Sequence, residues 1–157
     1  MSNYLVLNDT ITGKEGKAYI TVDGVNRELF EISSIKAQID LTVQARSTMG
    51  NRMKQHKVVG AEGTGSMTIY FMNSQMLDTA IKYLKNGKYS NIKIQVKNED
   101  AQSSVGKQEV VLSNVVLNSI PVAQLDDQSE ECLTFDTDFT FDAINKLSGF
   151  AKPKNFK

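Results

Sequence analysis

Two stretches of this chain alternate with a period of two over an unusual length, and that alternation limits the possible folds more than any other feature. In residues 35–46, Ile35, Ala37, Ile39, Leu41, Val43 and Ala45 fall on one side, while Lys36, Gln38, Asp40, Thr42, Gln44 and Arg46 fall on the other. In residues 133–143, Leu133, Phe135, Phe139 and Phe141 oppose Thr134, Asp136, Asp138, Thr140 and Asp142. Successive side chains of a strand point to opposite faces of its sheet, so each stretch reads as an antiparallel strand with one wet face. A strand of about eleven residues extends roughly 36 Å at about 3.3 Å per residue, well beyond the usual five or six. Long, half-wet strands suit barrels and channels, where one face covers a core and the other lines water.

At 157 residues the chain reads as a single domain over residues 1–157, large enough for a core without metals or disulfides. Eighteen basic and eighteen acidic residues cancel, so net charge indicates neither nucleic acid nor an anionic membrane as partner. Partners must be sought in local charge asymmetry. The one cysteine, Cys132, rules out an internal disulfide and reads as a structural thiol at a strand start. The first ten residues lack the basic start and apolar run of a signal peptide, and no later apolar run is long enough to span a bilayer.

The remaining elements follow from local signals. Residues 1–12 read as an extended arm, and Asp23-Gly24 between alternating runs predicts a β-hairpin with a type I′ turn. Residues 47–57 show no usable periodicity and read as a loop, after which a strand starts near Glu62 with Gly63, Gly65, Met67, Ile69 and Phe71 on one face. Strand, loop and strand together predict an extended hairpin. The spacing of Met76, Leu77, Ala80, Ile81 and Leu84 predicts a helix over about residues 74–86, capped by Asn73 or Ser74 and ended by Asn86-Gly87, with its stripe against a sheet. Residues 110–117 are apolar on both faces and predict one central strand. The end of the chain, from about 146 to 157, reads as a flexible tail. The fold class is therefore mainly β, an antiparallel β-sandwich or half-barrel with one flanking helix.

The chain offers little material for catalysis. His56 is the one histidine, with no carboxylate near it in sequence, and one His with one Cys cannot build a zinc site. No cofactor is expected. The run Gly60-Ala61-Glu62-Gly63-Thr64-Gly65-Ser66 superficially resembles a phosphate loop, but it lacks the lysine and the following helix. Its glycines instead suggest backbone that a neighbour approaches closely, such as another subunit. Arg46, Arg52, Lys54 and Lys57 form a basic segment over residues 46–57, together with Met49, Met53 and His56 and without any acid. Three readings stay open for it: a solvated loop, a nucleic-acid or polysaccharide binding β module, or a protein contact. Asp126, Asp127, Glu130 and Glu131 supply a separate acidic patch, and separated patches of opposite sign allow head-to-tail pairing with further copies.

Residues 13–24, GKEGKAYITVDG, residues 63–70, GTGSMTIY, and residues 138–141, DFTF, resemble the XkdM-type tail tube proteins of PBSX-like defective phages and related contractile-tailed phages and tailocins of Gram-positive bacteria. The resemblance in element order covers nearly the whole chain. It implies a structural, non-enzymatic subunit: six copies form a ring whose inner strands join into one β-barrel, and rings stack into a tube within a contractile sheath. It further implies assembly in the host cytoplasm, a final place in the virion tail, and sheath protein, tape-measure protein, baseplate tube initiator and tail terminator as partners. DNA would transit without specific binding, and the assembled subunit would contact no membrane. On this reading Arg46, Met49, Arg52, Met53, Lys54, His56 and Lys57 form an inter-ring stacking loop, with Asp126, Asp127, Glu130 and Glu131 as its acidic counterpart. Thr134, Asp136, Asp138, Thr140 and Asp142 face the lumen.

Overall fold

A computed structural model of the chain describes residues 5–128 and 130–153; part of the expected arm and tail lies outside that range. The strands are β1 (Lys17–Val22), β2 (Val25–Glu28), β3 (Ile32–Arg46), β4 (Gln55–Tyr70), β5 (Ile92–Glu99), β6 (Lys107–Ser113), β7 (Val116–Leu117), β8 (Thr134–Phe141) and β9 (Ala143–Ser148), with one α-helix, α1 (Gln75–Asn86). They form two antiparallel sheets, ordered β2-β1-β5-β6-β9 and β3-β4-β8-β7. The mainly β expectation holds.

The core lies between the sheets. Ala18, Ile20, Ile92, Ile94 and Leu112 from the first sheet meet Met67, Ile69, Leu117, Phe139 and Phe141 from the second, all buried. Each set comes from alternate positions of its strand, so the period of two in the sequence is the inward face of the sandwich. Asp23 and Gly24 both take positive φ, as a type I′ hairpin requires. Arg27 reaches from β2 to Glu31 through two hydrogen bonds, of 3.0 and 2.7 Å, and its Nε donates to Gln75 Oε1 at 2.6 Å, fastening the start of α1 to the β2–β3 corner.

Several elements differ from the sequence reading. The strand after the loop begins at Gln55, not near Glu62, so the loop is residues 47–54 and Gln55, His56 and Lys57 pair with β3. Residues 110–117 form two strands, because Asn114 adopts a φ of 55° and turns the chain from one sheet into the other. Residues 133–143 are likewise split at Asp142, and β9 leaves for the first sheet. Lys146, Leu147 and Ser148 belong to β9, so the expected tail starts later than residue 146. Only part of the helical stripe packs inward: Met76 is buried with Thr79, whereas Leu84 is 79% exposed.

Candidate functional site

The register of β3, β4 and β8 brings their polar positions onto one outward face. In antiparallel pairing, residues directly opposite share a face, so Lys36, Ser66 and Asp138 form one row, and Gln38, Thr64 and Thr140 the next. Ser34, Thr68 and Asp136 form another row on one side of these, and Asp40 with Glu62 stands on the other. Thr64 Oγ1 donates to Asp40 Oδ2 at 2.8 Å, Gln38 Nε2 to Asp40 Oδ1 at 2.9 Å, and Thr68 Oγ1 to Asp136 Oδ1 at 2.6 Å. Four carboxylates, Asp40, Glu62, Asp136 and Asp138, stand against one ammonium, Lys36, so this part of the face is acidic.

Asp142 does not join that face. It occupies the bend between β8 and β9, where Asn114 Nδ2 donates to its Oδ1 at 2.7 Å. Thr134, Asp136, Asp138 and Thr140 do lie on it, while Phe135, Thr137, Phe139 and Phe141 turn to the core side. Asp40, Glu62, Thr64 and Ser66 are equal members of the face that the sequence reading did not include among the lumen residues. Their alternation with Gly63 and Gly65 was the available signal.

The glycines of β4 have an explanation inside the chain. A Cβ on Gly65 would stand 2.4 Å from Phe139 Cζ, and one on Gly63 2.5 Å from Phe141 Cε2. Gly63 is paired directly with Phe141, and Gly65 with Phe139. The rings lie over the bare backbone opposite them, so the close neighbour is β8 rather than another subunit.

Beyond Gly63 the hairpin leaves the sandwich. β4 pairs with β8 only from Gly63 to Tyr70, and from Gln55 to Glu62 its sole partner is β3. A bulge at Val59, between the pairs Thr42–Gly60 and Val43–Val58, shifts the phase of β4. Lys57 and Gln55 therefore continue the polar face beside Gln44 and Arg46, while Val58 and His56 join the apolar one. That apolar face is bare: Ile39, Leu41, Val43, Val58 and Val59 are each 49–58% exposed. At the tip, Gly50 has a φ of 86°, and Met49 and Met53 are fully or largely exposed. No ion pair among the described residues holds Arg46, Arg52, Lys54 or Lys57.

The acidic segment sits at the other end of the same sheet. Asp126, Asp127, Glu130 and Glu131 precede β8, whose first residue, Thr134, pairs with Tyr70 at the far end of β4. A strand of 16 residues separates that end from the basic tip, or about 50 Å at about 3.3 Å per residue. The structure thus places the two patches at opposite poles and does not bring them together within one copy. Among the described residues no group of three or more His, Cys, Asp or Glu is placed to hold a metal ion, and no helix is long and apolar enough to cross a membrane.

Comparison with known proteins places this geometry in a family. The chain is 34% identical over 147 residues to the phage-like element PBSX protein XkdM of Bacillus subtilis (strain 168), covering 92% of this chain and 97% of that one. It shares its fold, at a TM-score of 0.66 and 11% identity over 90% of this chain and 94% of the other, with a chain of the extended sheath–tube complex of an extracellular contractile injection system. A chain of the six-fold symmetrised baseplate of the anti-feeding prophage matches at a TM-score of 0.62 and 12% identity, over 94% and 97% of the two chains. The family model described as phage tail tube protein matches residues 3–147. The chain belongs to the phage tail tube protein family.

Proposed function

We propose that six copies of this chain close into a ring with the polar face of β3, β4 and β8 turned toward the axis, and that such rings stack into the tube of a contractile tail. The observation that carries this reading is the sheet itself, whose outward face is polar and acidic while its long edge strand, β3, has no partner on its outer side among the described residues. An open edge of 15 residues is a template for pairing with another chain, and closure into a barrel removes it. The number six comes from the resemblance and agrees with the symmetry of the baseplate whose chain shares this fold.

In such a tube the acids have a task. DNA carries one negative charge per about 1.7 Å of its axis, so a wall bearing Asp40, Glu62, Asp136 and Asp138 repels it and lets it slide. Stacking uses the poles. The tip with Arg52 and Lys54, and Arg46 and Lys57 behind it, reaches the acidic end of the adjacent ring, which carries Glu130 and Glu131. Because the two poles differ, the contact is head to tail and repeats without closing, which is how a filament grows. The sheath, tape-measure protein, tube initiator and terminator are the partners that this role implies.

Negative-stain electron microscopy of the purified protein tests the reading. Rings or hollow tubes are the expected result. A species that stays monomeric at high concentration and binds an oligonucleotide tightly overturns it and favours a nucleic-acid binding module.

A further inference from the structure

Under the root of the hairpin the two sheets splay apart and leave an open cleft of about 1100 Å³. One wall is the apolar face of β3, with Ile35, Ala37 and Ile39; the other includes Val96, Val110 and Ile144 of the opposite sheet. Ile39 and Ile144 are 49% and 51% exposed, so this apolar part of the cleft is unfilled by the chain's described residues, with Lys36, Gln38, Lys97 and Gln108 among its polar lining. Lys14 and Lys17 stand at its mouth, exposed and without an ion pair among the described residues.

The opposite edge of the same sheet carries a complementary shape. Between β7 and β8, residues 118–124 track along β8: Asn118 N donates to Asp138 O at 2.8 Å, Thr137 Oγ1 to Ser119 O at 2.7 Å, and Gln124 Nε2 to Thr134 O at 3.0 Å. Thr137 is on the core side of β8, so Ser119 lies behind the polar face, as the cleft does, and Ile120 packs against the core. Within this stretch Val122 is 68% exposed; immediately beyond it Leu125 is 98% exposed, and Asp126 and Asp127 follow. Leu125 is near the Thr134 end of β8, level through β4 with the start of β3, where the cleft begins.

We propose that in the ring the segment around Leu125 of each copy docks into the cleft behind β3 of the next, with Leu125 and Val122 between the sheets and Asp126 and Asp127 against Lys14 and Lys17. The inference rests on the ring reading above and adds a second seam to it, on the outer side of the barrel wall. Three features commit the site to a second copy. The plug and the cleft lie on opposite edges of one sheet, as a closing ring requires; both are apolar and bare; and the flanking charges are opposite. The seam leaves Glu130 to the stacking tip of the adjacent ring.

The test uses the full chain with Cys132→Ser as background, carrying either Leu125→Cys or Ser33→Cys, Ser33 being exposed and lining the cleft at the start of β3. Each variant is mixed and assembled with the other, then oxidised. A covalent dimer is expected in the mixture and in neither variant alone, because plug and cleft come from different copies. Separately, Leu125→Asp should raise the protein concentration needed for assembly by roughly ten-fold or more, as loss of a buried anchor does. Asp126→Lys with Asp127→Lys should have a similar effect, relieved in part by Lys14→Glu with Lys17→Glu. Tubes that form normally with no Ser33–Leu125 crosslink overturn the docking and leave the ring reading standing. Failure of the unsubstituted chain to assemble at all refutes the ring reading and this inference with it.

Discussion

Replacing Gly65 with alanine is the sharpest probe of how β4 and β8 are matched. The new Cβ would lie 2.4 Å from Phe139 Cζ and 2.7 Å from the backbone oxygen of Lys36. Carbon atoms rest at about 3.5–4.0 Å, so the ring would have to withdraw by about 1 Å or more. It has nowhere to go, since Phe139 is 1% exposed and the Lys36 carbonyl is fixed by strand pairing. Overpacking of a dense core costs about 1–3 kcal/mol, and a contact with two unyielding sides belongs at the upper end. For a chain of this size about 3 kcal/mol lowers the melting temperature by roughly 6–12 °C. Gly60→Ala is the control: its Cβ would meet nothing closer than Thr42 at 3.8 Å, so its effect should stay within about 0.5 kcal/mol of zero. Melting of both variants by circular dichroism, at concentrations below assembly, reads the difference. Phe139→Leu should relieve part of the Gly65→Ala penalty, because the smaller side chain vacates the contested space. A Gly65→Ala variant as stable as Gly60→Ala would refute the argument that ring and glycine are matched.

Arg27→Met strips the 2% exposed Glu31 of its charged partner and should cost about 3 kcal/mol, the low end for a broken buried pair because Arg27 itself keeps some exposure. Burial raises the Glu31 carboxyl, but the Arg27 hydrogen bonds, its own backbone N–H and the Arg27 charge together hold it below its ordinary 4.5. The pair's contribution is therefore present above pH 4.5 and lost as pH falls through the lower folded value, so urea midpoints of the wild type should drop below pH 4.5 more steeply than those of Arg27→Met. Asp136→Lys with Asp138→Lys should leave melting and tube formation near wild type, the cost being about one exposed hydrogen bond from Thr68, while tubes should then retain DNA in a sedimentation assay; unfolding instead would show that the acids are buried. Arg52→Glu with Lys54→Glu should slow tube elongation, followed by light scattering, without changing the subunit's melting, and high salt should act in the same direction. Elongation at the normal rate would remove the tip from the stacking contact.

What the sequence disclosed was governed by whether alternation ran unbroken. The polar face of β3 was legible because nothing interrupts its alternation from Ser34 to Arg46. The distal part of β4 was not, since the bulge at Val59 flips the phase and makes His56, Lys57, Val58 and Val59 look aperiodic. Apolar runs gave a related error. Residues 110–117 read as one strand, but single positions, Asn114 with positive φ and Asp142 at a bend, carry the chain between sheets, and alternation has no term for a change of sheet. The glycines of β4 announced a close neighbour, yet only the register with Phe139 and Phe141 could say that the neighbour was β8. Asp142 fell off the acidic face for the same reason. The helix was legible in extent, from the Asn73 side chain accepting from Gln75 N–H to the left-handed Gly87, but not in facing, because Leu84 and Ile81 remain outside in the isolated subunit.

The exposed part of the hairpin shows why such a chain would be built for company. Fully burying a large aliphatic side chain is worth about 1.5–3 kcal/mol, and Ile39, Leu41, Val43, Val58 and Val59 are each about half exposed. Covering the remaining halves gives roughly 5 kcal/mol per hairpin. That is less than the roughly 8 kcal/mol of a micromolar contact even before the cost of immobilising two molecules is charged. One such contact therefore holds two subunits only weakly. In a closed ring, however, every subunit is held on two sides, so the last contact forms with no further loss of translational freedom and its full value is retained. A two-stranded projection that is marginal alone would then gain its stability from assembly, and in the proposed tube the same hairpin would carry Arg52 and Lys54 toward the next ring. On the proposed ring reading, closure and stacking would be coupled through one element: the ring would make the hairpin rigid, and a rigid hairpin is what the following ring could bind.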